Sequence, residues 1–175
     1  MIYVLLVVLI LLDQITKNYV VNTLSIGENV SVIRGFFDIT YERNTGSAFS
    51  FFADASWGIY ILTAISLAAS LFFLYFLIKN RKKFPRLVLI DIAVLAAGTI
   101  GNLIDRVLHK SVVDFFKFTF GSYVFPIFNV ADICVVVGTI GLMILVIKHQ
   151  HLFFDTPKDQ KKEKKSEDSE IEDTV

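Results

Sequence analysis

Thiols and imidazoles are scarce in this chain of 175 residues, and that scarcity removes several kinds of chemistry. Cys134 is the one cysteine, so no internal disulfide can form, and a thiolate metal site is excluded. The three histidines are His109, which stands alone, and His149 and His151 beyond the last apolar stretch. There is no His-Glu-x-x-His, so a zinc protease is unsupported. No histidine falls in a span near Ser47, Ser50, Ser66 or Ser70 to act as a base, and nothing in the sequence puts Lys17 beside a serine. Basic residues ahead of the apolar run 1–12 are missing, as is a small-residue cleavage site after it, so the run reads as a retained span. Net charge is also absent, with 17 Lys/Arg against 17 Asp/Glu, and gives no guide to partners.

Apolar side chains are what the chain has in excess. Hydrophobic residues make up 54%, and the mean hydropathy of +0.61 is too high for a soluble globule of this length. The sequence predicts an integral membrane protein, mainly α, with four transmembrane spans at about 1–22, 57–78, 87–108 and 126–148. Each is on the order of 20 residues, enough to cross ~30 Å of hydrocarbon. Lys79, Arg81, Lys82, Lys83 and Arg86 crowd the connection between spans two and three, and Lys148 begins the tail. The positive-inside rule makes these cytoplasmic, together with both termini. The connections 23–56 and 109–125 then lie outside. In the first, Val30-Ser-Val32 and Phe37-Asp-Ile39-Thr-Tyr41 alternate at period two around Arg34-Gly35, which predicts a small extracytoplasmic β-sheet. Phe51, Phe52 and Trp57, and then Phe116, Phe118 and Phe120, read as interface aromatics. The membrane domain is expected over 1–154, followed by a charged, disordered cytoplasmic tail over 155–175.

With this topology the polar residues of spans one, three and four, Asp91 apart, gather toward the outer surface. On span three Gly98, Gly101, Asn102 and Asp105 share one stripe, which should face protein, and its glycines offer a close approach for a docking helix. Asp13 and Lys17, at i and i+4, suit either a mutual ion pair or a site. Arg106 beside Asp105 reads first as an interface anchor that pairs locally. Asp114, in the short outer connection, and Asp132, one turn inside span four, have no basic partner at helical spacing. Each suits a helix cap or a loop hydrogen bond. If the fold joins them, they suit a pair sharing one proton, in which one carboxylate activates water and the other polarises a carbonyl. Spacing alone leaves these alternatives open. A small proton-coupled carrier using Asp13, Lys17 and Asp105, and a structural subunit, remain the non-enzymatic readings.

Five blocks, in order, carry a resemblance. They are Asp13-Gln14-x-Thr16-Lys17, Asn44-x-Gly46-x-Ala48-Phe49, Gly98-x-x-Gly101-Asn102-x-x-Asp105-Arg106, Val113-Asp114-Phe115 and Phe128-Asn129-x-Ala131-Asp132. Over 1–148 the chain resembles the lipoprotein signal peptidases, the type II signal peptidases of bacteria. The resemblance implies an aspartyl endopeptidase of the bacterial cytoplasmic membrane that uses no metal or other cofactor. It would cut diacylglyceryl-modified prolipoproteins on the amino side of the lipidated cysteine. By position Asp114 and Asp132 match the catalytic pair, and Asn102, Asp105, Arg106 and Asn129 match supporting residues. Asp13, Lys17, Asn44 and Gly46 match residues needed for activity or stability. The partners expected are the prolipoprotein substrate and membrane lipid, with no nucleic acid, and the protein is expected to be a monomer.

Overall fold

The computed structural model describes residues 1–46 and 57–148. Four long helices, α1 (Ile2–Thr23), α2 (Gly58–Asn80), α3 (Arg86–His109) and α4 (Val130–Lys148), are each long and apolar enough to span a membrane. Between them lie β1 (Asn29–Ile33), β2 (Phe37–Asn44), β3 (Val112–Phe120) and β4 (Tyr123–Val124), paired antiparallel in chain order. Helices are what runs this apolar must form in lipid, because every backbone N–H and C=O there has to find its partner within the segment.

The bundle is built around α3, which packs against α1, α2 and α4. Ala93, Ala96, Ala97, Gly98 and Gly101 of α3 are buried, and their small size lets neighbouring backbones close in. The other three helices turn large apolar side chains outward, among them Val7 and Leu11 on α1, Leu71 and Tyr75 on α2, and Val136 and Ile140 on α4. A surface so apolar is stable only against lipid.

The expected glycine stripe is buried, but the helix it takes is the chain's own α4, which leaves no room there for a further one. A Cβ at Gly98 would come within 2.5 Å of the Ala131 carbonyl oxygen, and one at Gly101 within 2.6 Å of an Asp13 carboxylate oxygen. The groove is therefore already filled by the first turns of α4 and by Asp13. Gly98→Ala is expected to cost about 1–3 kcal/mol, because the obstructing atom is backbone and cannot rotate away. A thermal midpoint in detergent unchanged from the wild type would contradict this packing.

Two further expectations need correction. The connection after α3 is not a loop: β3 runs along β2, pairing Asn44 with Val112, Glu42 with Asp114 and Phe37 with Phe118. The run Val112-Val-Asp-Phe-Phe-Lys-Phe-Thr-Phe120 has no clean period of two, yet its β-branched and aromatic residues suit a strand. Phe118 stacks on Phe37 at 4.7 Å and on Phe128 at 5.8 Å between ring centroids, so it contributes to the packing of the sheet. The fourth helix starts at Val130, four residues later than expected, because Phe128 is still extended and bridges to Phe116. The expected tail over 155–175, His149, His151, Phe51 and Phe52 lie outside the described residues.

Candidate active site

Four segments bring the carboxylates together at the sheet end of the bundle: the second half of α1, the last turns of α3, strand β3 and the start of α4. Asn129, fully buried, is the hub. Its backbone N–H donates to Asp132 Oδ2 at 3.1 Å, while its own Oδ1 accepts from the Asp132 N–H at 2.9 Å. This reciprocal pair caps the N-terminus of α4, so Asp132 lies in the first turn of that helix. The amide group of the same Asn129 donates to Asp114 Oδ1 at 2.6 Å and to the Val113 carbonyl at 3.2 Å. One side chain thus touches both aspartates, 18 residues apart in sequence.

Each carboxylate has a second holder. Asn102 Nδ2 donates to Asp132 Oδ1 at 2.7 Å, and Asn44 Nδ2 donates to Asp114 Oδ2 at 3.0 Å. Asn44 Oδ1 accepts from the Gly46 N–H at 2.8 Å, and Gly46 has φ +105°, a conformation open to glycine. That turn aims the amide at the end of β2. Ala48 and Phe49 of the same block lie outside the described residues.

Beneath the two aspartates is a buried charge cluster. Lys17 Nζ lies 2.9 Å from Asp13, 3.1 Å from Asp105 and 3.0 Å from Asn102 Oδ1. The i, i+4 pair anticipated on α1 is present, but Lys17 and Asp13 are 3% and 1% exposed, which makes it a core feature and not an interface turn. Asp13 Oδ1 accepts from the Ala131 N–H at 2.8 Å, and Asp105 Oδ2 from the Val113 N–H at 3.0 Å. Ala131 and Val113 are the residues immediately before Asp132 and Asp114. The cluster therefore fixes the backbone of both aspartates from below.

Arg106 does not pair with Asp105, which is committed to Lys17. Its Nη1 donates to Ser66 Oγ of α2 at 3.0 Å, and its buried Nε has no acceptor among the described residues. Two contributors escaped the sequence reading. Gln14 Nε2 donates to Asp13, Asp105 and the Gly101 carbonyl at 3.1–3.2 Å, and its signal was an amide inside an apolar span. Ser66 is the other, one of several hydroxyls of α2 beside Thr63 and Ser70, with nothing local to mark it.

The Asp114 carboxyl is pushed up to about 7, first by burial and then by the charge of Asp132, against the pull of its hydrogen bonds from Asn44 and Asn129 and of the Lys17 charge. Phe125, Phe128, Ile133, Val136 and Val137 line a cavity of about 290 Å³ whose one polar lining residue is Asp132. Asp132 therefore borders an apolar groove on the α4 face. Among the described residues no group of His, Cys, Asp and Glu has the arrangement of a metal site.

The profile of the signal peptidase (SPase) II family matches residues 5–148. A lipoprotein signal peptidase of Clostridium tetani is 40% identical over 140 residues, covering 79% of this chain and 87% of that protein. One from Bacillus pumilus is 40% identical over 145 residues, covering 83% and 91%. Among solved structures, a bacterial membrane enzyme determined by the in meso method at 2.3 Å superposes with a TM-score of 0.74 at 32% identity, covering 89% of this chain and 92% of the other. A second, at 1.9 Å, gives 0.73 at 34% identity, covering 89% and 94%.

Proposed function

Given that this chain belongs to the signal peptidase II family of multi-pass bacterial membrane proteases that process prolipoproteins, we propose that Asp114 and Asp132 form its catalytic pair. The observation that carries the reading is the shared Asn129, which hydrogen-bonds to both carboxylates, one of which, Asp132, borders an apolar groove. In the working state the pair holds one proton. The ionised aspartate takes a proton from water as the oxygen attacks the scissile carbonyl, and the protonated one gives its proton to the carbonyl oxygen. The gem-diol intermediate then collapses: one aspartate gives its proton to the amine nitrogen as the C–N bond breaks, the other takes a proton from one diol hydroxyl as the carbonyl re-forms, and an amine and a carboxylic acid leave with the pair again holding one proton. Asn102, Asn44 and Asn129 hold the oxygens in place, and Asp13, Lys17 and Asp105 hold the backbone on which they stand. Arg106, whose buried Nε has no acceptor among the described residues, is suited to donate to a backbone carbonyl of the substrate.

The substrate is a prolipoprotein bearing a diacylglyceryl cysteine, cut on the amino side of that residue. The basic connection after α2 and Lys148 support a topology with both termini in the cytoplasm and the site at the outer face. There a lipid-modified cysteine lies with its acyl chains in the bilayer. The protein acts as a monomer through residues 1–154, with 155–175 as an appended tail.

Purified protein in detergent is expected to cut a diacylglyceryl-modified prolipoprotein peptide in the presence of chelator and to leave the unlipidated peptide intact. Intact lipidated peptide after incubation with folded enzyme would remove the assignment. The pH profile adds a second check. Because the Asp114 carboxyl titrates at about 7, raising the pH above that value strips the shared proton. kcat/KM should then fall by about tenfold per pH unit on the alkaline side. A profile flat to about pH 9 would show that no such proton is used.

A further inference from the structure

At the end of the bundle away from the carboxylates, the start of α1, the α2–α3 connection and the start of α3 enclose a second cavity, of about 410 Å³. Tyr3, Phe84 and Leu89 form an apolar wall, and Met1, Arg81 and Arg86 stand around it. Arg86 Nη2 donates to Met1 Sδ at 2.7 Å, and a thioether is a weak acceptor, so the guanidinium keeps most of its capacity. Neither Arg81 nor Arg86 forms an ion pair among the described residues. The first turn of α3 carries no acidic side chain and no side-chain cap, which leaves its electrostatic field favourable to an anion. The dyad is far off: from Arg86 to Asn102 is 16 residues of helix, about 24 Å.

The position of the cavity selects its ligand. α1 begins, α2 ends and α3 begins at this one surface, with lipid-facing side chains such as Val4, Ile78 and Leu87 alongside. A group bound there meets headgroups above and acyl chains below. We propose that this cavity binds an anionic phospholipid, with Arg81 and Arg86 gripping the phosphate oxygens and Tyr3, Phe84 and Leu89 lying along the glycerol and upper acyl chain. Two guanidinium forks suit phosphate oxygens, and an apolar wall beneath them suits a lipid over a free ion.

The test compares the full-length protein with two double variants that remove equal charge from the same connection. Arg81→Gln/Arg86→Gln acts inside the cavity, and Lys82→Gln/Lys83→Gln acts outside it. Each is reconstituted in phosphatidylcholine with a trace of phosphatidylglycerol, and the phosphatidylglycerol kept through delipidation is measured. The arginine pair should reduce retention by roughly tenfold or more, and the lysine pair by less than about threefold. Equal losses would mean a diffuse charge effect and would overturn the site. No loss from the arginine pair would do the same, as when acidic residues beyond 148 occupy the cavity. Millimolar inorganic phosphate should not displace the lipid; if it does so fully, the site is one for free phosphate and the lipid assignment falls. Cleavage of prolipoprotein peptide should be unchanged in both variants, so the result stands apart from the identity of the dyad.

Discussion

Asp114→Asn and Asp132→Asn are each expected to reduce cleavage of a lipidated prolipoprotein peptide by about 10³-fold or more. The proposed reaction needs one acid and one base of nearly matched affinity for a single proton, and an amide can be neither. The two variants carry a similar structural cost. At position 132 the Asn102 amide and the Asn129 N–H point at the two carboxylate oxygens, so an asparagine there turns its NH₂ toward one of them, while the bond from the backbone N–H of residue 132 to Asn129 Oδ1 is kept. At position 114 two amide donors, from Asn44 and Asn129, point at the two carboxylate oxygens, so an asparagine there turns its NH₂ toward one of them. That mismatch is worth about 1–3 kcal/mol, and helix content and the thermal midpoint must be read beside activity. Loss of turnover in either variant counts only where the protein is folded. Near-normal turnover in either folded variant would mean that the chemistry lies elsewhere.

Lys17→Met should destabilise the protein by about 3–5 kcal/mol, measured as the thermal midpoint in detergent. Lys17 is the one cation touching both Asp13 and Asp105, and all three side chains are at least 96% buried. Methionine fills a similar volume, so the loss reports the uncompensated carboxylates and not a cavity. Adding Asp105→Asn to the Lys17→Met protein should recover part of the stability, since it deletes one of the stranded charges. Activity should fall in the single variant as well, because Asp13 and Asp105 anchor the N–H groups of Ala131 and Val113 next to the dyad. A loss below about 1 kcal/mol would show that water reaches the cluster, and the mutual burial argument would then fail.

The sequence determined by itself that this is a four-helix membrane protein, since runs of about 20 apolar residues have few stable structures other than a spanning helix. It also singled out nearly every polar side chain of the site. Charges and amides in apolar spans are costly, so Asp13, Lys17, Asn102, Asp105 and Asp132 stand out against their surroundings, and the five ordered blocks tied them to one family. Strand β3 was harder to read because it is buried on both faces at Val112–Phe115 and so lacks alternation.

Only the tertiary structure decided who pairs with whom. Local spacing suggested that Arg106 would pair with Asp105, yet Lys17 reaches across from α1 and takes Asp105, and Arg106 turns to Ser66. Spacing likewise left the glycine stripe open for a substrate, whereas α4 and Asp13 fill it. Asp114 and Asp132 meet through Asn129 because β3 folds back along β2 and sets the start of α4 beside it. A periodicity says which face of an element a residue occupies. Which face it then meets depends on the packing of elements distant in sequence, and in this chain that packing assembles the carboxylates at one end of the bundle.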